Sequence, residues 1–124
     1  MAHEEGCVNL SFEASGDLTA NYFEAVKLTS SGIAVCSSQG ERAIGVLQNK
    51  PSVAGASATV AVSGKAKAYA GATIAVGDYV TPGADGRMEV VATGDFVLGQ
   101  AVTAGADGEI ITVMLMPSLG AASA

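Results

Sequence analysis

Tryptophan is absent from the 124 residues, and Phe and Tyr together supply only 5% of them. Large anchors for a core are therefore few, and much of the 49% apolar content is Ala and Val. A single chain of this length buries roughly two-thirds of its unfolded surface. With so small an aromatic stock, packing against copies of itself or a partner adds stability, because whatever binds only the folded state favours it. Basic residues are also scarce: six Lys and Arg face twelve Asp and Glu, for a net charge of −6. Nucleic-acid grooves need clustered cations to displace counterions, so this balance argues against one. No run of about 20 apolar residues occurs, and no helical membrane span is expected. Cys7 and Cys36 are the only cysteines. With no signal-peptide pattern in MAHEEGC, they are expected to stay as thiols in a reducing compartment.

Catalytic machinery is equally thin. His3 is the only histidine. Glu4, Glu5 and Cys7 around it lack a metal-ligand spacing. A nucleophilic triad would have to draw its base from that terminus, which forfeits positioning. Cys36 lies in an apolar stretch and reads as a small buried hydrophobe. Asp17, Asp78, Asp85, Asp95 and Asp107 each adjoin Gly or begin a loop, where Asp bonds its own backbone. Neither phosphate-cradling nor dinucleotide glycine motifs occur. The chain is therefore expected to be no enzyme, with no cofactor and no metal.

What is present is a series of short β patterns. They run over Phe23–Thr29, Ile33–Cys36, Arg42–Gln48, Ala58–Tyr69, Arg87–Ala92, Phe96–Thr103 and Glu109–Met116, with a further short one at Val8, Leu10 and Phe12. Ala58–Tyr69 alternates most cleanly: Val60, Val62, Gly64, Ala66 and Ala68 fall on one face, and Thr59, Ala61, Ser63, Lys65, Lys67 and Tyr69 on the other. In Glu109–Met116 both faces are apolar, Ile111, Val113 and Leu115 on one and Ile110, Met114 and Met116 on the other around Thr112. Such a strand is covered on both sides, by the core and by another subunit. Helix signals are confined to Asp17–Val26, DLTANYFEAV, with Asp as a cap. The fold class expected is all-β with at most one short helix, a small barrel or sandwich in a single domain. Ala43–Val62 and Val97–Leu115 echo each other as strand–loop–strand units, with Gly45 and Gly99 placed for a bulge or close backbone crossing.

The stretch AVGDYVTPGADG, Ala75–Gly86, looks most like a chemical site. Its outline resembles the hairpin of swinging-arm carrier domains, which present a lysine for cofactor attachment. No Lys lies in Ala75–Val91, and the Arg87 guanidinium does not form the amide. The segment is read as a bend, with Asp85-Gly86 as the hairpin signal.

The succession of segments resembles the capsid cement, or head decoration, proteins of tailed bacteriophages. It is carried by LSFEASGDLTANYFEAVKLT at Leu10–Thr29 and ERAIGVLQNKP at Glu41–Pro51. VAVSGKAKAYAGATIAVGDYVTPGADGR at Val60–Arg87 and VLGQAVTAGADGEIITVMLMP at Val97–Pro117 complete it. The resemblance implies a β-clip or β-tulip fold. It implies a homotrimer on the outer surface of an icosahedral head, bound to the major capsid protein and stabilising the shell. The protein would be made in the host cytoplasm and reside in the virion. On this reading residues 1–21 are an N-terminal arm, 22–117 the β-rich decoration domain and 118–124 a flexible tail. Glu4, Glu5, Val8, Leu10 and Phe12 are the candidate capsid contacts, with Ala2–Phe12 mobile in the free trimer and ordered as an added strand on a capsid sheet edge. Ile110, Thr112, Met114 and Met116 are the candidate trimer contacts. The alternative is a small ligand- or glycan-binding or adhesion module.

Overall fold

The computed structural model describes residues 8–115. His3, Glu4, Glu5, Cys7, Met116 and the tail at 118–124 lie outside the described residues.

Nine strands and no helix occur among the described residues: β1 Val8–Glu13, β2 Ala25–Thr29, β3 Gly32–Val35, β4 Gly45–Leu47, β5 Ser57–Tyr69, β6 Tyr79–Pro82, β7 Met88–Val90, β8 Gly99–Ala101 and β9 Ile110–Leu115. They form one sheet in the order β3-β2-β4-β5-β9-β8-β6-β7, with β1 added beside β5. Every strand pairing is antiparallel. The sheet curls at both ends. A bridge between Ala14 and Ile33 brings the end of β1 to β3, and one between Ala70 and Met88 brings the end of β5 to β7. Two half-barrels thus share the 13-residue β5. The all-β single domain expected from the sequence is what the chain forms.

Each half has its own core. Ala14, Leu18, Val26, Ile33, Leu47, Ala58 and Val60 fill the first. Ile74, Val80, Met88, Leu98, Ile111, Val113 and Leu115 dominate the second, with many Ala residues between them. Three adjacent strands form the wall between the cores. Ala25 and Val26, Val46 and Leu47, and Val60 and Ala61 each send one neighbour into one core and the next into the other. This follows from the two-residue repeat of a strand with both faces covered. A thin shared wall suits small side chains, and five of these six residues are Val or Ala, with Leu47 the exception.

Three expectations are corrected. Val60 and Ala66 do not share a face: Val60 enters the first core, and Ala66 and Ala68 join Ala61 in the second. Gly64 has φ +86°, and this left-handed residue shifts the alternation by one. β5 changes partners at the same point, from β1 and β4 to β9. Asp17–Val26 is not a helix. The Phe23 amide donates to Leu47 O at 2.6 Å and the Ala25 amide to Gly86 O at 2.7 Å, and Phe23 sits at φ 63°, outside helical geometry. Amides spent this way are lost to a helical ladder. Finally, Val8–Phe12 is not an arm awaiting a partner. Within β1 it pairs with β5 of the same chain from Val8–Ser63 to Glu13–Ser57. Beyond β1, Ala14 and Leu18 are buried with Val26 and Ile33.

The internal echo has a structural counterpart. β4 pairs with β5 and β8 with β9. A side chain at Gly45 would strike the Ala61 carbonyl, and one at Gly99 the Met114 carbonyl. Both glycines mark a close backbone crossing at the same place in each unit.

Candidate functional site

AVGDYVTPGADG forms the β6–β7 hairpin and the loop before it. Its tip closes through Gly83 N–H to Arg87 O (2.7 Å) and Gly86 N–H to Gly83 O (3.0 Å), and Asp85 Oδ1 accepts from the Arg87 amide at 3.1 Å. At the tip Gly83 and Gly86 are buried and Ala84 and Asp85 are exposed, with no lysine or other attachment group among them. The tip folds back on β2, where Gly86 O accepts from Ala25 N–H at 2.7 Å. Gly86, at φ +85°, fits against Val35 and Glu24 with no room for a side chain. The hairpin is a clasp between the two halves.

Four of the twelve acidic residues cap one recurring turn. In SQGE at 38–41, AVGD at 75–78, ATGD at 92–95 and ADGE at 106–109, the fourth amide donates to the first carbonyl. The fourth carboxylate accepts from the first amide: Glu41 from Ser38 at 3.1 Å, Asp78 from Ala75 at 3.0 Å, Asp95 from Ala92 at 3.0 Å and Glu109 from Ala106 at 2.7 Å. The third residue is glycine at positive φ in each case. NYFE at 21–24 has the same backbone turn, but Phe23 holds the positive position at φ 63°. These carboxylates are turn caps with their hydrogen-bonding capacity engaged.

Phe23 endures that geometry inside an aromatic cluster. Its ring lies 5.0 Å from Tyr22 and 6.2 Å from Tyr69, and the Tyr69 hydroxyl donates to that of Tyr22 at 3.1 Å. That bond, with some desolvation, raises the Tyr69 pKa. Lys50 Nζ stands 4.4 Å over Tyr22, and the Arg87 guanidinium 5.6 Å over Tyr69. Arg87 also reaches Glu24 at 3.7 Å, Asp85 at 4.0 Å and Asp107 at 3.6 Å. Glu24 is buried, and desolvation pushes its pKa up against the pull of Asn21 and Arg87. With Lys65 and Lys67 four and two residues before Tyr69 on the same strand face, one surface gathers three of the six Phe and Tyr residues and four of the six Lys and Arg. Sequence reasoning missed this grouping, since Tyr22 and Tyr69 are 47 residues apart and no local pattern links them.

The same surface continues over the sheet. Tyr69 pairs with Ile110, and Lys65 with Met114. Ile110 is 41% and Tyr79 47% exposed, and Met114 is half-buried. Thr112 lies between them in the strand but is fully enclosed by its own chain, and its amide donates to Thr103 Oγ1 at 2.9 Å. It therefore offers no area to a neighbour.

On β1, Val8 and Leu10 are 46% and 48% exposed, whereas Phe12 packs against the first core. The Ala14 amide and carbonyl pair with Ala56 and Gly55, on the β5 side. Ser11, three residues earlier, therefore aims its backbone the other way, along an edge that β3 meets only near Ala14 and Ser15. A shallow depression of about 360 Å³ lies beside this strand, lined by Ser11, Phe12, Glu13, Gly55 and Ser57. Cys36 is buried, and desolvation followed by the Glu41 charge raises its pKa to about 12.

The chain matches no family model and no curated protein sequence. Among solved structures it is similar to the head fiber gp8.5 N base of bacteriophage phi29, with a TM-score of 0.72 over 89% of this chain and 94% of that one. The two are 17% identical, and the likeness is one of fold.

Proposed function

We propose that this chain is a structural protein of a tailed-phage head. It sits on the outer surface of the icosahedral shell as a trimer, binds the major capsid protein and stabilises the shell without chemistry of its own. The observation that carries this reading is the fold shared with a phage head fiber base over nearly the whole length of both chains. The segmental resemblance to head decoration proteins points to the same place. Val8 and Leu10, apolar and exposed on the β1 edge, are the capsid contacts, with Glu4 and Glu5 preceding them. Ile110 and Met114 are the contacts between protomers.

The test is addition of the purified chain to undecorated phage heads, followed by co-sedimentation and cryo-electron microscopy. Saturable, symmetric density on the outer surface is expected, and heads that stay bare would overturn the reading. Deleting Ala2–Phe12 would remove most of β1 along with any contact. Val8→Asp with Leu10→Asp is the cleaner variant, expected to abolish head binding while keeping the trimer mass. For the trimer, Met114→Asp is expected to yield monomers, and an unaltered mass counts against that contact.

A further inference from the structure

Strand register gathers exposed apolar residues of the first half at one end. Residues directly opposite in a ladder share a face of the sheet. Leu10 stands opposite Val60 and Leu28 opposite Ile33, and Val60 and Ile33 lie in the first core. Leu10 and Leu28 therefore face inward, and Val8 adjoins them at the start of β1. Yet Val8, Leu10 and Leu28 are 46%, 48% and 61% exposed. Phe12, Ile44 and Val62 are only partly buried against the same core. The far end is closed: Leu18 is buried, and the Ala14 carbonyl accepts from the Gly55 amide at 2.8 Å. Among the described residues, the first half is open at the end where β1 begins and β2 ends.

β9 stops at this opening. Leu115 stands opposite Gly64, and Val8 opposite the adjacent Ser63. The Gln48 amide donates to Thr59 O and its side chain to Lys67 O. That edge of β5 is thus turned to β4, which leaves the other edge to both β1 and β9. β9 runs at the start of β1, and β5 offers no further partner beyond Leu115 because Val8 already takes Ser63. Leu115 enters the second core, whereas the opposite face of β5 carries Val60 and Val62 to the first. The next four residues are Met-Pro-Ser-Leu, and the proline has no N–H for a ladder.

We propose that residues 116–119 seat in this opening, with Met116 and Leu119 set over Val8, Leu10 and Leu28. Four residues reach up to about 14 Å. Leu10 lies two residues, about 7 Å, beyond Val8, so Leu119 is within range. A segment tethered at the rim faces the opening at an effective concentration on the order of millimolar, which favours the chain's own residues over those of a second copy. The seat rests on the proposed head contact for its role. Val8 and Leu10 are the surface offered to the shell, so the segment and the shell compete for them. Apparent affinity for the head is then reduced by the fraction of molecules whose opening is uncovered.

Cysteine pairs test the seat in the full chain, in a Cys7→Ser background. Leu10→Cys with Leu119→Cys is expected to oxidise within one chain, read as the loss of two hydrogens in the intact mass without a covalent dimer on a non-reducing gel. The control is Val53→Cys with Leu119→Cys. Val53 is 62% exposed but belongs to the turn at the closed end, and this pair is expected to stay reduced under the same oxidant. Leu119→Asp is expected to raise the fluorescence of a hydrophobic dye, anilinonaphthalene sulfonate, by about threefold and to tighten head binding by about the same factor. Circular dichroism establishes that each variant is folded, and Leu28→Cys replaces Leu10→Cys where the latter is not. Equal oxidation of both pairs overturns the seat. Cross-links found only between chains also overturn it and assign the segment to a neighbouring copy. Unchanged dye fluorescence in a folded Leu119→Asp chain does the same. Heads that stay bare beside a selective cross-link keep the seat and overturn the head contact. Head binding unaltered by Leu119→Asp beside a selective cross-link overturns the competition.

Discussion

Gly45 offers a sharp test of the packing because the two effects of a glycine oppose each other there. Its φ is not in the left-handed region, so Gly45→Ala removes unfolded-state freedom and by that effect alone stabilises by about 0.4–1 kcal/mol. The added methyl, however, would collide with the Ala61 carbonyl and with Val60 Cγ1. Neither can easily yield. The carbonyl belongs to β5, whose neighbours Val60 and Ala61 are fully buried in the two cores. Overpacking of a tight core costs about 1–3 kcal/mol, so the net expectation after the entropic gain is a loss of about 1 kcal/mol. Gly99→Ala, with the same collision against Met114, should lose about as much. Gly55→Ala separates the causes, because Gly55 has φ +87° and open space around it. Only backbone strain applies there, roughly 1–2 kcal/mol. Gly86→Ala combines strain with collision against Val35 and Glu24 and should lose the most. Urea midpoints at one fixed protein concentration, with m unchanged, report these values. A neutral or stabilising Gly45→Ala beside a destabilising Gly55→Ala would refute the close crossing.

Phe23→Gly is expected to be more stable than Phe23→Ala by about 1 kcal/mol, the reverse of the usual order, because both lose the ring but only Ala keeps the strain at φ 63°; equal melting temperatures would argue against a strained turn. Glu24 holds a raised pKa in the folded state through burial, so the native state binds more protons than the unfolded one and stability falls as pH rises from the unfolded carboxylate value through the folded one. Glu24→Gln should flatten that part of the pH–stability curve. Glu41 has the opposite sign: desolvation, the largest single influence, is outweighed by Lys27 and the Ser37 and Ser38 amides together, which lower its pKa. Its contribution is present above the unfolded carboxylate value and lost as pH falls, and Glu41→Gln should remove it from acid titrations of stability. Cys36, with its thiol raised to about 12, should react with maleimide at neutral pH only after denaturant is added, as measured by mass in a Cys7→Ser background.

The sequence by itself determined the all-β class, the turns and the two close crossings. Those rest on local chemistry: two-residue alternation, Gly before Asp or Glu in four-residue turns, and a glycine inside each apolar strand. Exposure of Val8 and Leu10 was less legible, since alternation fixes a face but not which face is covered. The tertiary structure alone decided that β5 serves two cores and changes partners at Gly64, that Asp17–Val26 turns instead of coiling, and that β1 stays on its own sheet. It alone gathered Tyr22, Phe23, Tyr69 and Arg87, and enclosed Thr112 while leaving Ile110 exposed. Each of these depends on which distant strands pair, and pairing is a competition among long-range partners that no single window of residues contains.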